Sequence, residues 1–274
     1  MALVFSDMDG TFLADDKSIP ERNLEALEYL RSVGCGFVPC TGRIGAGVGA
    51  RMREHATITH VVSSNGVRVW EKSADGWKSV YAKCLSAEQV LWVMDVLAEF
   101  DLLLEVFSAE EIYDSHADLA HVEEFYPSRG MWGYVRSTRT GVDDLCATVL
   151  SGIEIDRINV RTRFEDVDAV VATLSSNLEL TVVHADVNGI DITVKGVDKG
   201  AALRALAERT GTPVEKCMAF GDGGNDIEML MAAGCGVAMS NAFDKVKACA
   251  DDVALSCNEA GVGEYIFSHT EFFE

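Results

Sequence analysis

The apolar run Ala2-Leu3-Val4-Phe5 stops abruptly at Asp7-Met8-Asp9-Gly10-Thr11. A short unbroken apolar run of this kind makes a strand buried on both faces, as in parallel sheets covered by helices. The carboxyl edge of such a sheet is where α/β proteins bind ligands, so Asp-x-Asp places two carboxylates at a binding edge. Two like charges that close resist burial unless a cation sits between them or one takes a proton. The stretch therefore predicts a metal site, an acid/base pair, or both.

The segments that follow extend the same pattern. Ser18-Ile19-Pro20-Glu21 reads as a helix start with Ser18 as cap, and Leu24, Leu27, Leu30 and Val33 recur at helical spacing up to Gly34. Gly36–Pro39 is a second strand ending at Cys40-Thr41-Gly42-Arg43, residues 44–55 read as helical, and Thr59–Val62 is a third strand ending at Ser63-Ser64-Asn65-Gly66. Strand–helix–strand–helix–strand is the opening of a doubly wound parallel sheet.

From Val67 the alternation changes. A hairpin around Asp75-Gly76 precedes a helix capped by Ser86, two strands over 102–115, and helical stretches over 117–125 and 142–150. Between those two stretches the chain is aromatic and undefined. A strand over 154–161, a helix over 164–175 and a strand pair around Asn188-Gly189 complete a mixed block that suits an inserted domain. The α/β pattern then resumes, with a helix from Asp198-Lys199-Gly200 and a strand over 217–220 that ends in Gly221-Asp222-Gly223-Gly224-Asn225-Asp226. Shorter elements run on to a helix over 261–267. The division expected is a core of residues 1–84 and 195–274, with an α+β insertion over 85–194.

With 44 acidic residues against 23 basic, the net charge of -21 excludes a binder of nucleic-acid backbone, which needs a basic face. No apolar run reaches the roughly 20 residues that span a bilayer, and no secretory signal is visible. The eight cysteines have neither Cys-x-x-Cys nor zinc spacing and read as buried, reduced thiols. The expectation is a soluble, cytoplasmic enzyme. His116 and His121 show no ligand spacing, and the aromatics Phe125, Tyr126, Trp132 and Tyr134 read as packing residues or as pocket lining.

Taken singly, the polar clusters are ordinary: Thr41 would cap a helix, and Lys199 would be a solvated charge. Taken in order, Asp-x-Asp-Gly-Thr at 7–11, Thr-Gly-Arg at 41–43, Asn65-Gly66, Lys199-Gly200 and Gly-Asp-x-x-Asn-Asp at 221–226 resemble the haloacid dehalogenase superfamily of phosphohydrolases. The likeness is greatest to its Cof-type branch, subclass IIB. Cys40, where that family often has a small residue, and Gly224, where it often has Glu or Gln, depart from the pattern without removing a reacting group.

The resemblance implies a Rossmann-like core and a cap that closes over the site and selects the substrate. It implies a Mg²⁺-dependent phosphatase of small phosphorylated metabolites, either sugar phosphates or phosphorylated cofactors such as flavin mononucleotide or pyridoxal phosphate. Asp7 would be the nucleophile that becomes an aspartyl-phosphate, and Asp9 would protonate the leaving alkoxide and later activate water. The Asp7 carboxylate, the Asp9 backbone carbonyl and the Asp222 carboxylate would hold the metal. Thr41, Gly42, Lys199 and Asn225 would bind phosphate, and Asp226 would steady Lys199 or a metal-bound water. Arg43 would contact phosphate or pair with the cap, and Asn65 would contact substrate or simply make the turn before Gly66. A phosphosugar mutase of the same architecture and a non-enzymatic receiver-type module are the rival readings.

Overall fold

The computed structural model describes residues 1–273, apart from the side chains of Ala46, Ala50 and Arg51. The chain forms two compact units, one of residues 1–82 with 198–274 and the other of residues 83–197. The cuts fall at 82/83 and 197/198 rather than at 84/85 and 194/195. The reason is local: the Lys83 ammonium donates to the Lys195 carbonyl, and Cys84 meets Asp156, so these flanking residues belong with the insertion.

In the first unit the chain lays down β1 (Leu3–Asp7), β2 (Gly36–Cys40), β3 (His60–Ser63), β4 (Arg68–Ser73) and β5 (Gly76–Ala82). The inserted unit adds β6 (Leu102–Ser108), β7 (Ile112–Ser115), β8 (Thr140–Val142), β9 (Ile155–Thr162), β10 (Leu180–His184) and β11 (Gly189–Val194). The first unit then resumes with β12 (Cys217–Gly221), β13 (Cys235–Met239) and β14 (Asp252–Ala254).

The first unit's sheet has the order β14-β13-β12-β1-β2-β3-β4-β5, parallel from β14 to β3 and antiparallel beyond. From β1 the chain builds outward through β2 and β3; from β12 it builds the opposite way through β13 and β14. Right-handed crossovers put the two sets of helices on opposite faces, and the crevice opens where the direction reverses, between β1 and β12. Every residue of β1 and of β12 is buried, as a central strand covered on both sides requires.

Several local expectations change. The helix expected at Ser18 begins at Glu21 with Pro20 at the cap position, because the Ser18 hydroxyl donates to Asp16 instead. Val33 ends that helix exposed, while Asn23 is buried and bonds Phe12 and Gly263. Residues 44–55 are not one helix: a 3₁₀ turn at Gly45–Gly47 precedes a short helix at Ala50–Glu54, since glycines at 45, 47 and 49 disfavour a continuous helix. The undefined aromatic stretch holds a helix at Arg129–Thr138, whose Gly130 and Gly133 weaken the sequence signal. Cys146 and Cys249 are exposed and Cys84 and Cys235 half-buried rather than buried, and none of the eight is joined in a disulfide. No helix among the described residues is long and apolar enough to cross a membrane.

The inserted unit is a six-stranded sheet of order β10-β11-β9-β6-β7-β8, antiparallel except for the β7–β8 pair. Alternate residues Leu104, Val106, Ile158, Val160, Ile190 and Ile192 pack with Val90, Val93, Val149 and Val170 from the helices on one face. The residues between them are Glu105, Arg157, Asn159, Arg161 and Asp191, all buried. This second face is held by polar pairs: Arg157 to Asp191, Arg161 to Asp186, and Glu105 to both Arg139 and the Tyr126 hydroxyl. Phe125, Tyr126 and Trp132 pack there with Leu103, Val122 and Val135, whereas Tyr134 is exposed.

Asp114 on β7 is wholly buried, and neither carboxyl oxygen finds a hydrogen-bond partner. Burial, followed by the neighbouring Glu105 charge, pushes its carboxyl up to about 9. The folded chain therefore holds this proton more tightly than the unfolded one, and stability falls as pH rises from the ordinary carboxylate range toward 9. Asp114→Asn, which needs no proton, is expected to gain about 4 kcal/mol relative to the parent between pH 5 and pH 8. Chemical denaturation at both pH values measures the difference, and equal changes for both proteins would refute the assignment.

Candidate active site

Topology brings the carboxylates together. Register pairs Asp7 with Cys40 across β1 and β2, and Ser6 with Phe220 across β1 and β12. Asp7 thus ends β1 level with the last residue of β2, and Asp222 follows directly on β12. The chain returns from the insertion to this same edge, where Asp198 caps the helix Lys199–Thr210 by accepting from the Ala201 amide. Lys199 is the first residue of that helix and is fully buried.

The Lys199 ammonium donates to Asp7 at 2.5 Å and to Asp226 at 2.7 Å. The other Asp226 oxygen accepts from the backbone amides of Asp222 and Gly223, at 3.0 and 2.9 Å. Asp226 is therefore spent on both sides, locking Lys199 and shaping the loop after β12. Asp222 accepts from the Thr11 hydroxyl at 2.8 Å. Gly10 has a φ of +87°, and a Cβ there would lie 2.5 Å from an Asp222 oxygen, so the turn after β1 can approach Asp222 only as glycine.

One oxygen from each of Asp7, Asp222 and Asp226 lies within 4.8 Å of the others. Only Asp7 and Asp226 pair with the ammonium, so with all three carboxylates ionised the cluster carries an excess of two negative charges. Burial pushes the Asp7 carboxyl up, the Lys199 ammonium draws it down, and the charges of Asp226 and Asp222 push it up again, to about 7. Burial also raises Asp222, against the Thr11 hydrogen bond. Desolvation lowers Lys199, but its two carboxylate partners outweigh that and hold it charged. The rises at Asp7 and Lys199 pull opposite ways on their ion pair. The Lys199 direction is the firmer, because its ammonium has two partners while each carboxylate has half an ammonium. An all-oxygen set with an excess of two negative charges fits a hard divalent cation such as Mg²⁺.

Asp9 turns away from this cluster. Its carboxylate takes two hydrogen bonds from Arg43, at 2.8 and 3.1 Å, and an ion pair from Lys17 at 2.9 Å. Partial burial raises its carboxyl, but the Lys17 hydrogen bond and the Arg43 charge more than offset this, leaving it below the usual range. Lys17 was not apparent from the sequence: it lies in a turn at a φ of +68°, and only the fold carries it back to Asp9.

Thr41 is buried beyond β2, with its hydroxyl accepting from the Arg43 amide. Gly42 lies against Asn65, where a Cβ would come within 3.0 Å of the amide oxygen. Asn65 adopts a left-handed backbone and accepts from the Asn225 amide at 3.0 Å. The residues of the five polar clusters singled out in the sequence thus lie at one sheet edge, whereas the candidate pocket aromatics belong to the inserted unit. At the edge the cluster residues form two sets. Asp7, Lys199, Asp222 and Asp226 make one cluster. Thr41, Gly42, Asn65 and Asn225 line the adjacent edge, with Arg43 committed to Asp9.

A profile of the haloacid dehalogenase-like hydrolases matches residues 4–266. The chain is 29% identical, over 96% of both proteins, to 5-amino-6-(5-phospho-D-ribitylamino)uracil phosphatase of Bacillus subtilis. It is 27% identical, again over 96% of both, to pyridoxal phosphate phosphatase of Escherichia coli. Among solved structures, a haloacid dehalogenase-like hydrolase from B. subtilis superposes with a TM-score of 0.81 at 26% identity, covering 98% of this chain and 99% of that one. A parallel sheet with its carboxylates at the switch point, in a chain matched along nearly its whole length, leads to one assignment: the chain belongs to the haloacid dehalogenase-like hydrolases and is a phosphoric monoester hydrolase.

Proposed function

We propose that the protein is a Mg²⁺-dependent phosphatase of small phosphorylated metabolites that works through a phosphoryl group carried on Asp7. The observation that carries this reading is the cluster of three carboxylates in which the buried Asp7 and Asp226 pair with the Lys199 ammonium and the half-buried Asp222 lies beside them. Asp7, Asp222 and the Asp9 backbone carbonyl would hold Mg²⁺, since Asp226 is already committed on both oxygens. When bound, Mg²⁺ supplies positive charge that lets an anionic phosphate approach an anionic nucleophile.

An Asp7 carboxylate oxygen attacks phosphorus, the bond from phosphorus to the ester oxygen breaks, and Asp9 gives its proton to the departing alkoxide. Water then attacks the aspartyl-phosphate, Asp9 takes the proton from that water, and the bond between Asp7 and phosphorus breaks to free inorganic phosphate. Lys199 and Thr41 hold the phosphoryl oxygens as charge builds on them, and Asn225 orients the group. Asp226 keeps the ammonium charged and fixed. To act as an acid, Asp9 must acquire a proton, which requires its hold by Arg43 and Lys17 to loosen when substrate enters. The Bacillus relative is named for a phosphoribitylamino-uracil and the Escherichia relative for pyridoxal phosphate, which supports phosphorylated ring compounds of cofactor type beside sugar phosphates as substrate.

A phosphate-release assay over a panel of phosphorylated metabolites, with no bisphosphate activator added, tests the reaction. Asp7→Asn is expected to lower kcat at least about 10³-fold, as loss of a covalent nucleophile does. Wild-type turnover in that variant would refute the covalent step. Chelation with EDTA is expected to abolish phosphate release and added Mg²⁺ to restore it; activity that survives exhaustive chelation would remove the metal from the mechanism.

A further inference from the structure

The core unit carries a cavity of about 370 Å³ beside Asp9. The turn after β1 supplies Met8, Leu13 and Ile19 to its wall, and the glycine-spaced segment after Arg43 supplies Val48 and Met52. Met8, Val48 and Met52 are each no more than 5% exposed, so their side chains are set rather than free to swing out. The wall is also backed. A Cβ on Gly45 would lie 2.7 Å from the Trp70 ring, which is pinned by its own bond to Ser63 at 3.0 Å. The polar side chains of the lining are Thr41, Ser18, whose hydroxyl is turned to Asp16, and Lys17 and Arg43, the two cations that hold the Asp9 carboxylate.

This arrangement has a direction. Thr41 belongs to the phosphate end, Asp9 is the group that protonates the departing oxygen, and beyond Thr41, Ser18, Lys17 and Arg43 the lining side chains are apolar. Resting on the mechanism above, we propose that this cavity receives the leaving alcohol, and that the body of that alcohol is an aromatic or heteroaromatic ring rather than a polyol. Sugar hydroxyls set against Met8, Leu13, Ile19, Val48 and Met52 would lose their water without gaining partners. A ring loses little there and gains thioether contacts from Met8 and Met52. The volume is at the small end for ligand sites, enough for one ring or two fused rings with short substituents. Lys17 and Arg43 share one carboxylate, so one positive charge remains at the edge, which suits a ring bearing an electron-rich oxygen or nitrogen.

The test compares kcat/KM for benzyl phosphate and glucose 6-phosphate in the full chain with Mg²⁺. The ratio is expected to favour benzyl phosphate at least tenfold. It should fall at least fivefold in Met52→Gln and be kept in Met52→Leu. A wild-type ratio at or below one overturns the proposal, and so does a ratio unmoved by Met52→Gln. Calorimetric binding of both esters to Asp7→Asn keeps the result separate from the catalytic reading. If wild type releases phosphate from neither ester nor from any member of the metabolite panel, the mechanism fails. The cavity assignment is then judged by whether Asp7→Asn binds benzyl phosphate more tightly than glucose 6-phosphate and loses that preference with Met52→Gln.

Discussion

One ammonium group, wholly removed from solvent, ties together three segments that are far apart in the chain. Lys199 starts a helix, Asp7 ends β1, and Asp226 closes the loop after β12; the ammonium reaches both carboxylates. Burying such charges costs several kcal/mol per ion, repaid only when every group is paired, and breaking the set by removing one partner costs about 3–5 kcal/mol. The cluster is therefore a poor source of net stability but a strong determinant of geometry. It keeps Asp7 at a fixed place and leaves a local excess of negative charge, which a divalent cation and a phosphate ester together can use.

Backbones must approach one another closely for this to work. Gly66, at a φ of +100°, lies so near the chain's return point that a Cβ would sit 2.2 Å from the Asp198 carbonyl. The loop after β3 thus presses directly on the start of the Lys199 helix. No side chain could be interposed without shifting the ammonium away from Asp7. The loop after β12 obeys the same constraint, since a Cβ on Gly221 would lie 2.4 Å from that of Asp226. Rigidity at the reacting atoms follows from the absence of side chains around them.

The two carboxylates of Asp-x-Asp differ because their surroundings differ. Asp7 is buried beside an overshared ammonium and two other acids, so its charge is disfavoured. Asp9 is partly exposed and gripped by two cations, so its charge is favoured. The resting arrangement therefore has Asp9 in its base form, and the entry of an anionic ester, competing for Arg43 and Lys17, is what would release it. The inserted unit makes a different use of charge, with one sheet face apolar and the other built from paired arginines and acids around the unpaired Asp114.

Much of the fold was legible because its cues are local. Apolar runs ending in polar clusters marked β1, β2, β3 and β12, and their alternation with helices implied the doubly wound sheet. Glycine-rich stretches were harder: the broken helix after Arg43 and the helix over 129–138 both depend on packing that overrides weak propensity. The sequence by itself determined which chemical groups are present at strand ends, since strand direction and carboxyl-edge position follow from pattern alone. Only the tertiary structure decided how those groups divide. That Lys199 is shared between Asp7 and Asp226, that Arg43 reaches across to Asp9, and that Met52 walls a cavity beside it are distances between segments remote in sequence. Such distances are set by the order in which strands assemble, and no local pattern of residues encodes them.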